Sequence, residues 1–188
     1  MSDKQLLPNI YVIGPQCTGK TTIVTRLRSD VDAWLAGTSL DRPNFVSEVA
    51  RSAMTKNNFS ARDITASKEK CLMVRTTILQ AQATAEDEAL HTSSWFISDR
   101  SGLDPLVYAK MFAGSEATQD LQATSAWKTL RQNGWLCYYN EWIGLFNVFL
   151  QVLKHNELPY HIVPCTMEDL TERINFIHEK WRETIGPL

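Results

Sequence analysis

Gly14-Pro15-Gln16-Cys17-Thr18-Gly19-Lys20-Thr21 sets two glycines, a lysine and a hydroxyl at the spacing Gly-x4-Gly-Lys-Thr. An apolar run, Ile10–Ile13, precedes it, and a segment of helical pattern begins at Lys20. Phosphate binding asks for this combination, known as the P-loop. Glycine lets backbone approach a phosphate closely. The N–H groups around Thr18 to Thr21 then face the β-phosphate with a helix N-terminus behind them, Lys20 reaches the β and γ oxygens, and Thr21 binds magnesium. The nucleotide-binding set is therefore Gly14, Cys17, Thr18, Gly19, Lys20, Thr21 and Thr22, with Cys17 at a variable position and without a catalytic part. An ordinary glycine-rich turn is the bland alternative; strand, loop, Lys-Thr pair and helix occurring together argue against it.

Magnesium asks for a carboxylate as well. Asp99 ends the apolar run Trp95–Ser98 and supplies one, which makes Thr21 and Asp99 the metal pair; the competing role is that Asp99 or Ser101 caps the next helix. Two roles are open to Arg100, contact with phosphate or a paired grip on a carboxylate. Asp104 before Pro105 reads as a helix N-cap. Glu48 follows a third apolar run, Phe45–Ser47, and at a strand end it could take the proton of an attacking hydroxyl; otherwise it serves a helix dipole with Arg51 as its partner three residues on. The catalytic set is thus Lys20, Glu48, Asp99 and Arg100. Gln80, Gln82 and Glu86 read as a solvated helix stripe, with contact to an acceptor as the sharper option. The four histidines have no ligand spacing, and of the six tryptophans only Trp142 is kept as a stacking surface.

These residues need strands to hold them. Five runs fit buried strands, Ile10–Ile13, Phe45–Ser47, Trp95–Ser98, Trp135–Tyr139 and His161–Val163, and helical patterns separate them. Helices are expected over Lys20–Ser29, about Ser67 to His91, around Phe146–Leu153, and from Leu170 to Ile185 with a start signal at Thr166 to Asp169. Alternation of this kind implies a parallel sheet covered on both faces, with ligands at the carboxyl ends of the strands. With 44% apolar and 10% aromatic residues, 188 residues can bury one sizeable core, so residues 1–188 are read as one domain. A formal charge of -2 gives no reason to expect a nucleic-acid partner, and no run reaches membrane-spanning length. Cys17, Cys71, Cys137 and Cys165 read as buried thiols in a reducing, cytoplasmic setting.

"IGPQCTGKTT", "SEVAR", "ILQAQATAEDEAL" and "ISDRSGLDPLVYA" resemble the NadR-like nicotinamide-riboside kinase domains and the related small AAA-domain ATPase/kinase proteins, themselves similar to deoxynucleoside kinases. The likeness covers roughly the first 110 residues, with a weaker match at "DLTERINFI". It implies a three-layer α/β/α fold of the P-loop NTPase type, its five-stranded parallel sheet in the order 2-3-1-4-5. It further implies ATP as donor, Glu48 near an acceptor hydroxyl, and Asp99-Arg100 as the pair after strand three. In such kinases a lid after strand four supplies an arginine; the corresponding "NEWIG", Asn140 to Gly144, has none, and Arg131, Arg100 or Arg62 are the substitutes. Phosphoryl transfer from ATP and magnesium to the hydroxyl of a small, nucleoside-like acceptor is the leading expectation. An ATPase or nucleotide-dependent regulator is the alternative. The acceptor's identity and the oligomeric state, a homo-oligomer included, stay open.

Overall fold

The structure, a computed structural model, describes residues 7–140 and 145–186. Strand β1 (Asn9–Ile13) leads through the phosphate-loop segment into helix α1 (Lys20–Leu35), and β2 (Asn44–Val46) follows. Three helices, α2 (Ala50–Lys56), α3 (Asp63–Ala66) and the long α4 (Lys68–Thr92), precede β3 (Phe96–Asp99). Then come α5 (Leu103–Phe112), α6 (Ser115–Ala123), α7 (Ser125–Gln132), β4 (Trp135–Asn140), α8 (Phe146–His155), β5 (Tyr160–Val163) and α9 (Leu170–Ile185). All pairings are parallel and the order is β2-β3-β1-β4-β5, as the family resemblance implied.

Alternation along the strands splits the core into two layers. Tyr11 and Ile13 of β1 join Phe96, Cys137 and Tyr139 on the face covered by Leu79 of α4, Leu106 of α5 and Phe149 of α8. Ile10 and Val12 join Ile97, Leu136 and Tyr138 on the other face, under Ile23 and Leu27 of α1 and Ile174 and Trp181 of α9. Because the sheet is buried on both faces, its strands are continuous apolar runs. Trp181 stacks on Trp95 at 4.9 Å between ring centroids, and Trp34 on His178 at 4.4 Å, so these aromatic groups are core material.

Several expectations need correction. The last helix spans Leu170–Ile185 as expected, but its start signal is Asp169 acting as the cap itself, its carboxylate accepting from the N–H groups of Thr171 and Glu172, rather than a capping box over Thr166 to Asp169. Only Cys71 and Cys137 are buried thiols; Cys17 and Cys165 are exposed because each sits in a loop at the carboxyl edge of the sheet. Asp104 is not an N-cap. It lies inside the first turn of α5 and reaches back to accept from the N–H and hydroxyl of Ser101, whose Oγ in turn accepts from the Leu103 N–H.

Gln82 and Glu86 are buried rather than solvated, since β1 and α7 offer them polar partners beneath α4. Glu86 accepts from the Tyr11 hydroxyl at 2.8 Å, the Gln82 amide at 2.9 Å and the Asn133 amide at 2.7 Å. Burial pushes its carboxyl pKa up to about 7 from 4.5, against the pull of those three donors. Across that window the folded chain keeps a proton that the unfolded chain has released, so the stability from this group is complete below it and is lost as pH rises through it. At about 1.4 kcal/mol per pH unit, the loss is on the order of 3 kcal/mol. Urea unfolding of the wild type and Glu86→Gln at matched pH values should therefore show the wild type losing ground to the variant between about pH 4.5 and pH 7. A pH-independent difference would mean that Glu86 is ionised throughout.

Candidate functional site

The loop after β1 takes up left-handed backbone conformations at three positions. Gly14 and Gly19 have φ of 132° and 81°, and the non-glycine Cys17 has φ of 61°. Left-handed residues of this kind build the concave N–H cradles that hold phosphate. Space supports the same fit: the nearest atom to a Cβ built on Gly19 would be the Arg173 guanidinium, 4.0 Å away. Lys20 is buried, and its ammonium donates to the Pro15 carbonyl and, at 3.3 Å, to the Thr18 hydroxyl. Burial, with the Arg100 charge next, lowers its pKa.

Thr21 donates from Oγ1 to Asp99 Oδ2 at 2.6 Å, which brings the end of β3 against the first turn of α1. Hydroxyl and carboxylate oxygens are the donors magnesium takes, completed by water and phosphate rather than by a cage of protein ligands. Among the described residues no cluster of three or more His, Cys, Asp or Glu side chains forms such a cage. The Leu103 N–H at the start of α5 is met by Ser101 Oγ, while the Asp99 carboxylate is turned to Thr21 instead. Asp99→Asn should weaken ATP binding in magnesium by about tenfold while leaving affinity in a chelator nearly unchanged. Calorimetry under both conditions measures this; equal losses would assign Asp99 to folding.

Arg100 answers the question of its two roles in favour of carboxylates. Its Nε donates to Glu48 Oε1 at 2.8 Å and its Nη1 to Asp104 Oδ1 at 3.2 Å, tying β3 to the segment after β2. Burial disfavours its charge, yet Asp104 and Glu48 outweigh that and hold the guanidinium more firmly protonated than usual. Asp104, fully buried, is pushed up by burial against the opposing pull of Arg100 and Lys20. Arg100 also has φ of 83°, a strained value for a residue with a side chain, secured by its N–H bond to the Val12 carbonyl at 3.0 Å. Glu48 pairs with Arg100 and not with Arg51, so its partner comes from the end of the neighbouring strand rather than from the helix that follows it.

A cavity of about 400 Å³ opens on the phosphate loop. Gln16 to Thr21 form one wall, and Glu48, Arg51, Arg75, Gln82, Arg100 and Tyr108 reach the rest. Asp99 lines an adjoining depression together with Thr21, Glu48 and Arg51. Gly14 and Thr22 are not in the cavity wall: Gly14 is buried at the start of the loop, and Thr22 lies on the outer side with Thr25, Ser29 and Leu170.

A family profile described as "AAA domain" matches residues 9–173, most of the chain. The chain belongs to the AAA-domain family. A search of curated proteins found no match. Among solved structures, NadR protein in complex with NAD and AMP-PNP superposes with a TM-score of 0.69 at 18% identity, over 93% of this chain and 49% of that one. NadR protein in complex with NR gives 0.72 at 18% identity, over 97% and 52%. The likeness fixes the fold, and the AAA-domain chain spans about half the length of these NadR structures.

Of the three arginines considered as substitutes for a lid arginine, Arg100 alone lines the cavity. Arg131 donates to the Asn156 carbonyl, Arg62 is exposed ahead of α3, and Arg100 is held by two carboxylates. The segment Asn140 to Gly144, with Trp142, lies largely outside the described residues. Sequence reasoning missed Arg173 of α9, which donates from Nε to the Met167 carbonyl at 2.5 Å and points its guanidinium at Gly19. It missed Arg75 as well. Both sit in helices whose apolar stripes drew attention instead, and the only trace in the sequence was a charged residue on a side otherwise apolar.

Proposed function

We propose that the protein transfers the γ-phosphoryl group of ATP to a hydroxyl of a small molecule. The cavity carries this reading, because it joins the phosphate loop to a walled compartment where a second molecule can sit beside Glu48. An ATPase switch needs no such compartment. Support for a nucleotide donor comes from the loop backbone, the buried Lys20, and NadR protein, a relative in fold that has been seen with AMP-PNP.

In this reading Lys20 neutralises charge gathering on the β/γ oxygens, and Thr21 with Asp99 would hold magnesium, which supplies further charge stabilisation when bound. Glu48 takes the proton of the acceptor hydroxyl while the hydroxyl oxygen forms a bond to the γ-phosphorus and the bond from that phosphorus to the β–γ bridging oxygen breaks, releasing ADP. Arg100 fixes the Glu48 carboxylate in place, its own geometry fixed by Asp104. Measurement of ADP release with magnesium and ATP, against a panel of nucleosides, sugars and hydroxy acids and a no-acceptor control, tests the proposal. Acceptor-dependent ADP is expected; a rate indifferent to every acceptor would favour the ATPase or nucleotide-dependent regulator instead.

A further inference from the structure

The charges around the cavity do not balance, and the surplus is located. Lys20 and Arg100 are accounted for: the first belongs to the phosphate loop and the second is met by Glu48 and Asp104. Arg75, on α4 at the opposite wall, is different. Its residue surface is only 7% exposed, and its Nε has no hydrogen-bond partner. No carboxylate among the described residues comes within ion-pair distance of its guanidinium. Its neighbours are the Cys71 thiol one turn back, which shares a hydrogen bond with it, and the Tyr108 ring, whose centroid lies 4.9 Å from Cζ. Asp104 acts on it only from a distance and is already engaged by Arg100.

A guanidinium cannot shed its charge in a protein, and a buried one without an acid partner is costly unless something supplies the counter-charge. An aromatic face and a thiol offset part of that cost but supply no counter-charge and leave the Nε–H without an acceptor. Arg75 lines the same cavity as Glu48 and the phosphate loop. Arg51, also in the wall and exposed, adds a second positive charge without a salt bridge among the described residues. Ile64 and Ile78 line the same side of the cavity, and Gln82 is the uncharged polar group near them.

We infer that the acceptor carries an anionic oxygen group, a carboxylate or a phosphate ester, that Arg75 receives while the acceptor's hydroxyl is presented to Glu48. This rests on the phosphoryl-transfer reading for the hydroxyl but not for the anion. The acceptor class is thereby a small hydroxy acid or sugar phosphate, and a neutral nucleoside leaves Arg75 unanswered. The planar fork suits both anions, and the two sources separate in the test.

The full chain is titrated by calorimetry, with and without AMP-PNP and magnesium, using glycerate and its amide, and ribose 5-phosphate and ribose. One acid or ester should bind at least about tenfold more tightly than its neutral counterpart, the scale of one hydrogen bond to a charged group. Arg75→Met, which keeps the length of the stem, should erase that preference, and Arg75→Lys should keep part of it; thermal melts confirm that each is folded. Equal binding of charged and neutral partners overturns the inference, as does a preference that survives in Arg75→Met, or no binding by either anion. The two proposals fail separately. Acceptor-dependent ADP from neutral compounds alone would leave phosphoryl transfer standing and remove the anion, whereas anion binding lost in Arg75→Met without acceptor-dependent ADP would do the reverse.

Discussion

Lys20→Met should lower acceptor-dependent ADP release by about 10²–10³, the range for removing one preorganised charge from a developing transition state. Methionine keeps most of the stem in a buried position, so the substitution removes the ammonium and little else. The ammonium also ties the loop to itself through Pro15 and Thr18, which raises the question of whether loss of activity would report on chemistry or on loop shape. Affinity separates these. Charge on the transferring group grows towards the transition state, so kcat should fall further than ATP affinity weakens. A collapsed loop would instead abolish binding of ADP and ATP alike. Stopped-flow turnover together with calorimetry on a variant of unchanged melting temperature decides the matter, and unchanged turnover would remove Lys20 from the mechanism.

Lys20 was legible because its role is written in contiguous residues. The strand, the turn glycines and the helix all lie within one short stretch, and the physics that makes the loop is local. The sheet was legible for a related reason: buried parallel strands are apolar throughout, so β1 and β3 stand out, and even the short β2 was displaced by only one residue, at Asn44–Val46 against Phe45–Ser47. Long-range partnerships left no such trace. Glu48 and Arg100 are 52 residues apart, and neither spacing nor composition tells that a partly buried guanidinium just past β3 joins them. Glu86 shows the same limit in reverse. Its helix has polar residues where an apolar stripe is broken, which reads as solvent exposure until Tyr11 and Asn133 are seen to approach from other elements. Pattern reports an average environment, while a buried polar group depends on a few particular donors.

Glu48→Gln tests the other half of the mechanism. It keeps size and hydrogen-bonding capacity but removes basicity, so acceptor phosphorylation should fall by roughly 10²–10⁴ while ATP affinity stays within a few-fold of wild type. The ion pair with Arg100 supplies a competing explanation, since a neutral amide would loosen the guanidinium that helps shape the cavity. Asp104→Asn discriminates between the two, because it weakens the grip on Arg100 from the other side and leaves the Glu48 carboxylate intact. If Glu48 is the base, Asp104→Asn should cost far less in kcat than Glu48→Gln at equal retention of fold. Equal losses would make Glu48 a positioning residue that acts through Arg100. A loss under tenfold in Glu48→Gln would argue that the proton leaves late, after most of the bond to the leaving oxygen has broken, as a loose transition state allows. In that event the carboxylate's part is to orient the hydroxyl, and Glu48→Ala, which cannot orient it, should lose much more than Glu48→Gln.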